Sequence, residues 1–292
     1  MRTVVLASFA ALAAAGVLPA QAQTAAPPKE AIRGFVNAYA GAAPAMGKIA
    51  RWTRGICPIT AGLPKSFNAQ VTQRVREIAA QVGAPVAPAT DTEPCRPNID
   101  IVFALQPQNL LDDIRKRQPV YLGYHDMAQA TRIATVRYPV QAWYATETHD
   151  LHGMKQVDYP WASRGVRLHR DYFAENAKDA RVQANRLGDG LQSDFYHVVI
   201  VVDLHKVNGQ EIEPLADQIA VLALSQPRSF DTCLTPASIT NLLSPGCEAK
   251  AKAVTAVDLA YLRGLYDVDT GTNFVQQRGQ IADLMVKGLG GN

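Results

Sequence analysis

Catalytic signatures are what this chain lacks. It contains no G-x-S-x-G elbow to present a nucleophilic serine, no S-x-x-K, no glycine-rich phosphate loop and no H-E-x-x-H zinc motif. Charge is also scarce. Charged residues make up 19% of the chain and leave a formal net charge of +3, without the concentrated basic face that a nucleic-acid partner requires. Glycine (20) and proline (18) are too few for a collagen-like or low-complexity polymer. Four cysteines in 292 residues cannot staple a small cystine-rich scaffold, yet an even number invites pairing. What is present is a 48% hydrophobic complement, enough to bury the core of one large domain.

Long apolar runs are missing after the N-terminus. Arg2 precedes an apolar stretch over 4–18, Pro19 breaks it, and Ala20-Gln21-Ala22 places small residues where a signal peptidase reads. The stretch is shorter than the ~20 residues a membrane-spanning helix needs. We therefore expect residues 1–22 to be a signal peptide cleaved after Ala22, leaving a periplasmic or secreted chain with no integral membrane segment. In an oxidising compartment Cys57, Cys95, Cys233 and Cys247 read as disulfides, not catalytic thiols. Three connectivities are possible. Short loops close at the least entropic cost, which favours Cys57–Cys95 and Cys233–Cys247. On a chain-entropy account each bridge contributes roughly 3–4 kcal/mol. No C-x-x-C spacing supports zinc, and neither a metal nor a cofactor is expected.

Periodicity divides the rest into a leader and N-terminal helix (23–47), a single α+β domain (48–287) and a frayed tail (288–292). Apolar positions at Ile32, Phe35, Val36 and Tyr39 predict the first helix. A short strand follows over 51–57. Ser66 is expected to cap a helix whose stripe is Val71, Val75, Ile78, Ala79 and Val82, ending at Gly83. NIDIVFAL (98–105) reads as an interior strand, and Asn109 as the cap of a helix over 110–118. Two strands are expected around Pro139 (134–138 and 140–146), and a partly helical segment over 171–185. The strongest strand signal is 195–207. Pro214 then opens a helix over 215–226 that is apolar on every face except at Asp217 and Gln218, which argues burial between layers. Thr255 and Asp258 resemble a capping box, and a last amphipathic helix covers 274–289. The expected architecture is a mixed sheet packed on helices around a buried central helix.

Three clusters carry what chemistry there is. His149 and His152 flank Asp150, with Asp158 nearby, and imidazoles three residues apart would share a helical face; Gly153 and polar neighbours point instead to an exposed loop. At the end of the 195–207 strand, alternation puts His197, Asp203 and His205 on one face and Tyr196, Val198, Ile200, Val202 and Leu204 on the other. Asp203 and His205 are the weak catalytic candidates, a base and its orienting acid without a visible nucleophile. Finally, 138–173 is rich in aromatics, with arginines at three-residue intervals. Trp143, Tyr144, Trp161, Arg164 and Arg167 form a candidate binding surface for a glycan or anionic polymer, since rings stack and guanidinium forks pair with anions. The same rings would equally fill a core.

Several stretches together resemble a family of uncharacterised exported bacterial proteins: RWTRGICP (51–58), GLPKSFNAQVTQRVREIAAQVGAP (62–85), CRPNIDIVF (95–103), LGYHD (122–126), YPVQAWYAT (138–146), LADQIAVLALSQ (215–226), SITNLLSPGC (238–247) and VDLAYLRGLYDVD (257–269). That resemblance implies no activity. The C-terminal half is similar in layout to zincin-type metallopeptidases and to bacterial domains of unknown function related to them. In a zincin the buried helix would carry H-E-x-x-H. Here the comparable positions include Asp217 and Gln218, and no histidine follows His205. The resemblance implies a degenerate zincin-like scaffold that binds without cutting. The expected function is a non-catalytic binding or envelope-associated module whose partner is a cell-envelope polymer or protein. The alternative is a metal-independent or His-dependent hydrolase acting on envelope peptide or glycan.

Overall fold

The helical stripes legible in the sequence become the faces that build the core. The computed structural model describes residues 26–44, 46–89, 94–123, 133–156 and 190–290. Helix α1 (Lys29–Tyr39) buries Ile32, Phe35, Val36 and Tyr39. These share the main core with the later helices, so the boundary expected near residue 48 does not separate α1 from the domain. Helix α2 (Lys65–Gln81) buries Val71, Val75, Ile78 and Ala79 and stops at Gly83, whose φ of 81° suits glycine. Its N-cap is Pro64, with no side-chain cap; Ser66 lies inside the first turn, a correction to the expected cap.

The strands depart further from the expected bounds. The run 51–57 is not one strand. Residues Ala50–Arg51 form β1, and Pro58–Ala61 form β2, with Pro58 at the first position of an outer strand, where a missing N–H is tolerated. Strand β3 spans Ile99–Ala104. Helix α3 (Pro107–Arg117) begins earlier than expected because Pro107, with its φ preset, occupies the first turn. Strand β4 covers Val140–Asp150 and β5 covers Leu191–Asp203, so 134–138 is not a strand and β4 runs beyond Thr146. The segment 171–185 lies outside the described residues.

Strand β5 organises the sheet. On one side it pairs in parallel with β3, Ile99 opposite Val198, and with β1, Ala50 opposite Ser193. On the other side β4 runs antiparallel along its length. Strand β2 pairs in parallel with the far side of β3, giving a mixed α+β fold in which β2, α2 and β3 form a βαβ unit. A register shift at Ala145/Thr146 pairs Ala145 with His197 and Thr146 with Phe195, leaving Tyr196 as the extra residue of a bulge. The bulge resets the alternation: Phe195 joins Val198 in the main core, and Tyr196 does not share their face as strict alternation requires.

Two cores result. The main one lies between one sheet face and helices α1, α2, α4 (Ile212–Leu224), α5 (Ala256–Asp267) and α6 (Phe274–Gly288). The smaller one joins Trp143, Val199 and Val201 to Leu111, Leu122 and Ala134. Helix α4 is buried from Pro214 to Leu224, as its composition predicts. Burying a helix end strands its last carbonyls, and here each finds a side-chain donor. Ser225 Oγ bonds Val221 O at 2.8 Å, Tyr144 Oη bonds Leu222 O at 2.8 Å, Trp52 Nε1 bonds Ala223 O at 2.9 Å and Tyr266 Oη bonds Leu224 O at 2.9 Å. The Thr255/Asp258 capping box opens α5 as expected. Both disulfides form, Cys57–Cys95 and Cys233–Cys247, closing 38 and 14 residues. Among the described residues no helix is long and apolar enough to cross a membrane. Residues 1–22 lie outside the description.

Candidate functional site

The two polar side chains of the buried part of α4 have separate fates. Asp217 is almost fully buried. Its Oδ1 accepts from Arg74 Nε of α2 at 2.5 Å, and its Oδ2 accepts from the Val254 N–H at 2.7 Å. That bond holds the Arg74 guanidinium above its ordinary pKa. Gln218 donates to Thr240 O at 3.3 Å, while its Oε1 is buried without a hydrogen-bond partner. Gln218 lines a cleft between the start of β4 and the segment that follows α4, beside Tyr138, Phe230 and Ser244. The cleft encloses about 20 Å³, room for about one ordered water. As it stands it admits a small polar group and nothing larger.

The segment over the cleft is held rigidly. Cys233–Cys247 closes it. Asn241 accepts from Leu234 N–H at 2.9 Å and donates to Leu234 O at 2.9 Å and Ala249 O at 3.1 Å. Ser238 Oγ and the Ile239 N–H both donate to Asp258, at 2.5 and 2.9 Å. Burial raises the Asp258 pKa, and these bonds with those from Thr255 oppose the rise. One carboxylate thus caps α5 and anchors the cleft wall.

Asp203 and His205 do not couple. Asp203 ends β5 and Val207 does not, because its carboxylate closes a turn: Oδ1 accepts from the His205 and Lys206 N–H groups at 3.0 and 3.4 Å. The His205 side chain is exposed. His149 and His152 also part. His149 is not in an exposed loop; it lies in β4 and is buried, whereas His152 sits exposed in the turn beyond.

His149 belongs to a cluster that no local pattern in the sequence announces. Glu147, His149 and Asp194 are each less than 5% exposed. Glu147 Oε1 lies 2.7 Å from Arg54 Nη2, and Oε2 lies 2.9 Å from Lys155 Nζ, so the buried carboxylate has a cation at each oxygen. His149 Nε2 is 3.5 Å from Glu147 and 3.3 Å from Arg54. Its Nδ1 is 2.6 Å from Asp194 Oδ2 without completing a hydrogen bond. Extending the period-two pattern of β4 past Thr146 would have put Glu147 and His149 on the Trp143 face. Nearby on the same face, His197 Nε2 lies 3.0 Å from Asp100 Oδ2, and its ring stacks on Tyr121 at 3.9 Å. Each imidazole has a carboxylate oxygen within 3.0 Å. Among the described residues no hydroxyl or thiol is hydrogen-bonded to either ring.

Trp143 and Tyr144 are core residues, a correction to their reading as a stacking surface. Trp143 is 4% exposed and donates from Nε1 to Ile133 O at 2.9 Å; Tyr144 is 8% exposed and caps α4. Trp161, Arg164, Arg167 and Asp158 lie outside the described residues. Among the described residues no group of three or more His, Cys, Asp or Glu side chains is placed to hold a metal ion. No protein-family model matches the chain, and no curated protein or solved structure matches it.

Proposed function

We propose that the chain is exported, with residues 1–22 removed after Ala22, and acts as a non-catalytic binding or envelope-associated module on a degenerate zincin-like scaffold. The observation that carries this reading is the chemistry of α4. Where a zincin would present two imidazoles and a base, Asp217 is neutralised by Arg74 and fixed to Val254, and Gln218 is bonded to Thr240. A nearly fully buried carboxylate held by a guanidinium at one oxygen and a backbone N–H at the other is poorly placed to take a proton from water. The antiparallel β4 beside a strand that leads into a buried helix supports the scaffold reading. The two disulfides fit an oxidising compartment. The family of exported proteins that the sequence resembles is the expected kin, and an envelope polymer or protein the expected partner.

Cell fractionation followed by N-terminal determination and metal analysis tests the reading. We expect a periplasmic or secreted form beginning at Gln23, carrying far less than one equivalent of zinc. Retention in the cytoplasm with Met1 in place would overturn export, and one tightly held zinc per chain would overturn the non-catalytic scaffold.

A further inference from the structure

We propose that the groove where α2, α5 and α6 end binds a short zwitterionic peptide, its carboxylate on Arg263 and its ammonium on Asp267. The inference is independent of the function proposed above. The groove measures about 390 Å³, within the ~300–1,000 Å³ of small-ligand sites, and is far roomier than the cleft at Gln218. Small residues create the space. Gly83, Ala260, Gly264 and Gly288 line it, and a Cβ built on Gly83 or Gly288 would meet no atom within 4 Å. Gly264 forms the floor, where a Cβ would press within 3.2 Å of Ile281 O on α6.

Charge selects the occupant. Arg263 and Asp267 are the charged residues lining the groove, and both are exposed. They stand four apart on α5, with Cβ atoms about 5–6 Å apart. Even so, neither has a hydrogen bond or close ion pair among the described residues; Arg51 is the cation within electrostatic reach of Asp267. Arg263 offers a planar fork for a carboxylate, and Asp267 offers an acceptor for an ammonium. One charge of each sign suits a ligand of zero net charge with separated termini. A groove of about 390 Å³ takes a dipeptide with both termini engaged, whereas a single amino acid would fill little of it. The backbone adds to the preference. Three helices terminate here, α2 before Gly83, α5 at Asp267 and α6 at Gly288, and helix C-termini carry partial negative charge that favours an ammonium.

The test is a titration of the isotope-labelled protein with L-alanyl-L-alanine, followed by amide NMR. We expect saturable millimolar binding, with shifts concentrated at Gly83, Gly264, Asp267 and Gly288. N-acetylated and C-amidated dipeptides, and free L-alanine, should each bind about tenfold more weakly, as should the dipeptide to Arg263→Gln or Asp267→Asn. Gly288→Leu should abolish binding while leaving the circular dichroism spectrum and Tm unchanged, because its side chain enters the groove. The proposal is overturned if shifts do not saturate or fall elsewhere, or if either blocked dipeptide binds as well as the free one. Equal binding by L-alanine would overturn the assignment to a peptide.

Discussion

Arg74 Nε meets Asp217 Oδ1 at 2.5 Å, joining α2 to the buried carboxylate of α4. The arginine side chain is 36% exposed and the aspartate 6%, so water screens one partner and hardly reaches the other. Removing the cation leaves a buried charge with only the Val254 N–H to stabilise it. We expect Arg74→Met to cost about 1–3 kcal/mol, below the 3–5 of a fully buried pair because Arg74 is partly solvated. Pairing it with Asp217→Asn should recover part of that loss. Urea unfolding of both single variants and the double variant measures the coupling; additive losses would mean the pair contributes nothing.

Aromatic capping of α4 gives the second expectation. Tyr144 and Tyr266 donate their hydroxyls to Leu222 O and Leu224 O in the sheltered core. Tyr144→Phe and Tyr266→Phe keep the ring and strand a carbonyl. Each should destabilise by about 1–2 kcal/mol. Unchanged urea midpoints would show that water replaces the lost hydroxyl.

These caps also show what the sequence could and could not disclose. The burial of α4 was legible, since its residues are apolar all round, and so was the Thr255/Asp258 box, because both are local patterns. The donors that make the burial tolerable come from Trp52, Tyr144 and Tyr266, far apart in sequence. No local period announces them. The same holds for Glu147, His149 and Asp194, which meet only because a bulge at Tyr196 resets the register of β5. Asp203 and His205 misled for a related reason: a side chain that closes a turn looks, in sequence, like an oriented acid. Even the correct disulfide pairs rested on loop length, a rule of closure entropy and not of any particular contact.

The disulfides are not equivalent. Cys233–Cys247 closes 14 residues and holds the wall of the Gln218 cleft, whereas Cys57–Cys95 closes 38 residues and ties β2 to the approach of β3. Chain entropy assigns about 3 kcal/mol to the shorter loop and slightly more to the longer. The Cys233→Ser/Cys247→Ser variant should lose about that much stability and loosen the segment it closes. Hydrogen exchange should therefore rise more at Leu234 and Asn241 than at Ile99 or Ile101. A uniform rise across the protein would show global destabilisation alone.

Alkaline pH should unfold the protein steeply. Burial holds the phenols of Tyr39, Tyr144, Tyr261 and Tyr266 above their ordinary pKa of 10.0. Above pH ~10 the unfolded chain releases these protons and the folded chain keeps them. The unfolded state then binds fewer protons, so stability is fully present below pH ~10 and falls as pH rises toward the raised folded values. Each tyrosine adds about 1.4 kcal/mol per pH unit to the slope, and four together add about 5–6. Tyr261 separates this titration from hydrogen bonding, because its hydroxyl is buried without a hydrogen-bond partner and Phe keeps the ring packed edge-on to Tyr39. Tyr261→Phe should leave neutral-pH stability unchanged or slightly raised, and should remove about 1.4 kcal/mol per pH unit from the alkaline slope. Urea midpoints measured on either side of pH 10, with tyrosinate absorbance followed in parallel, decide the matter. If the four phenols ionise while the protein remains folded, burial is not what holds their protons.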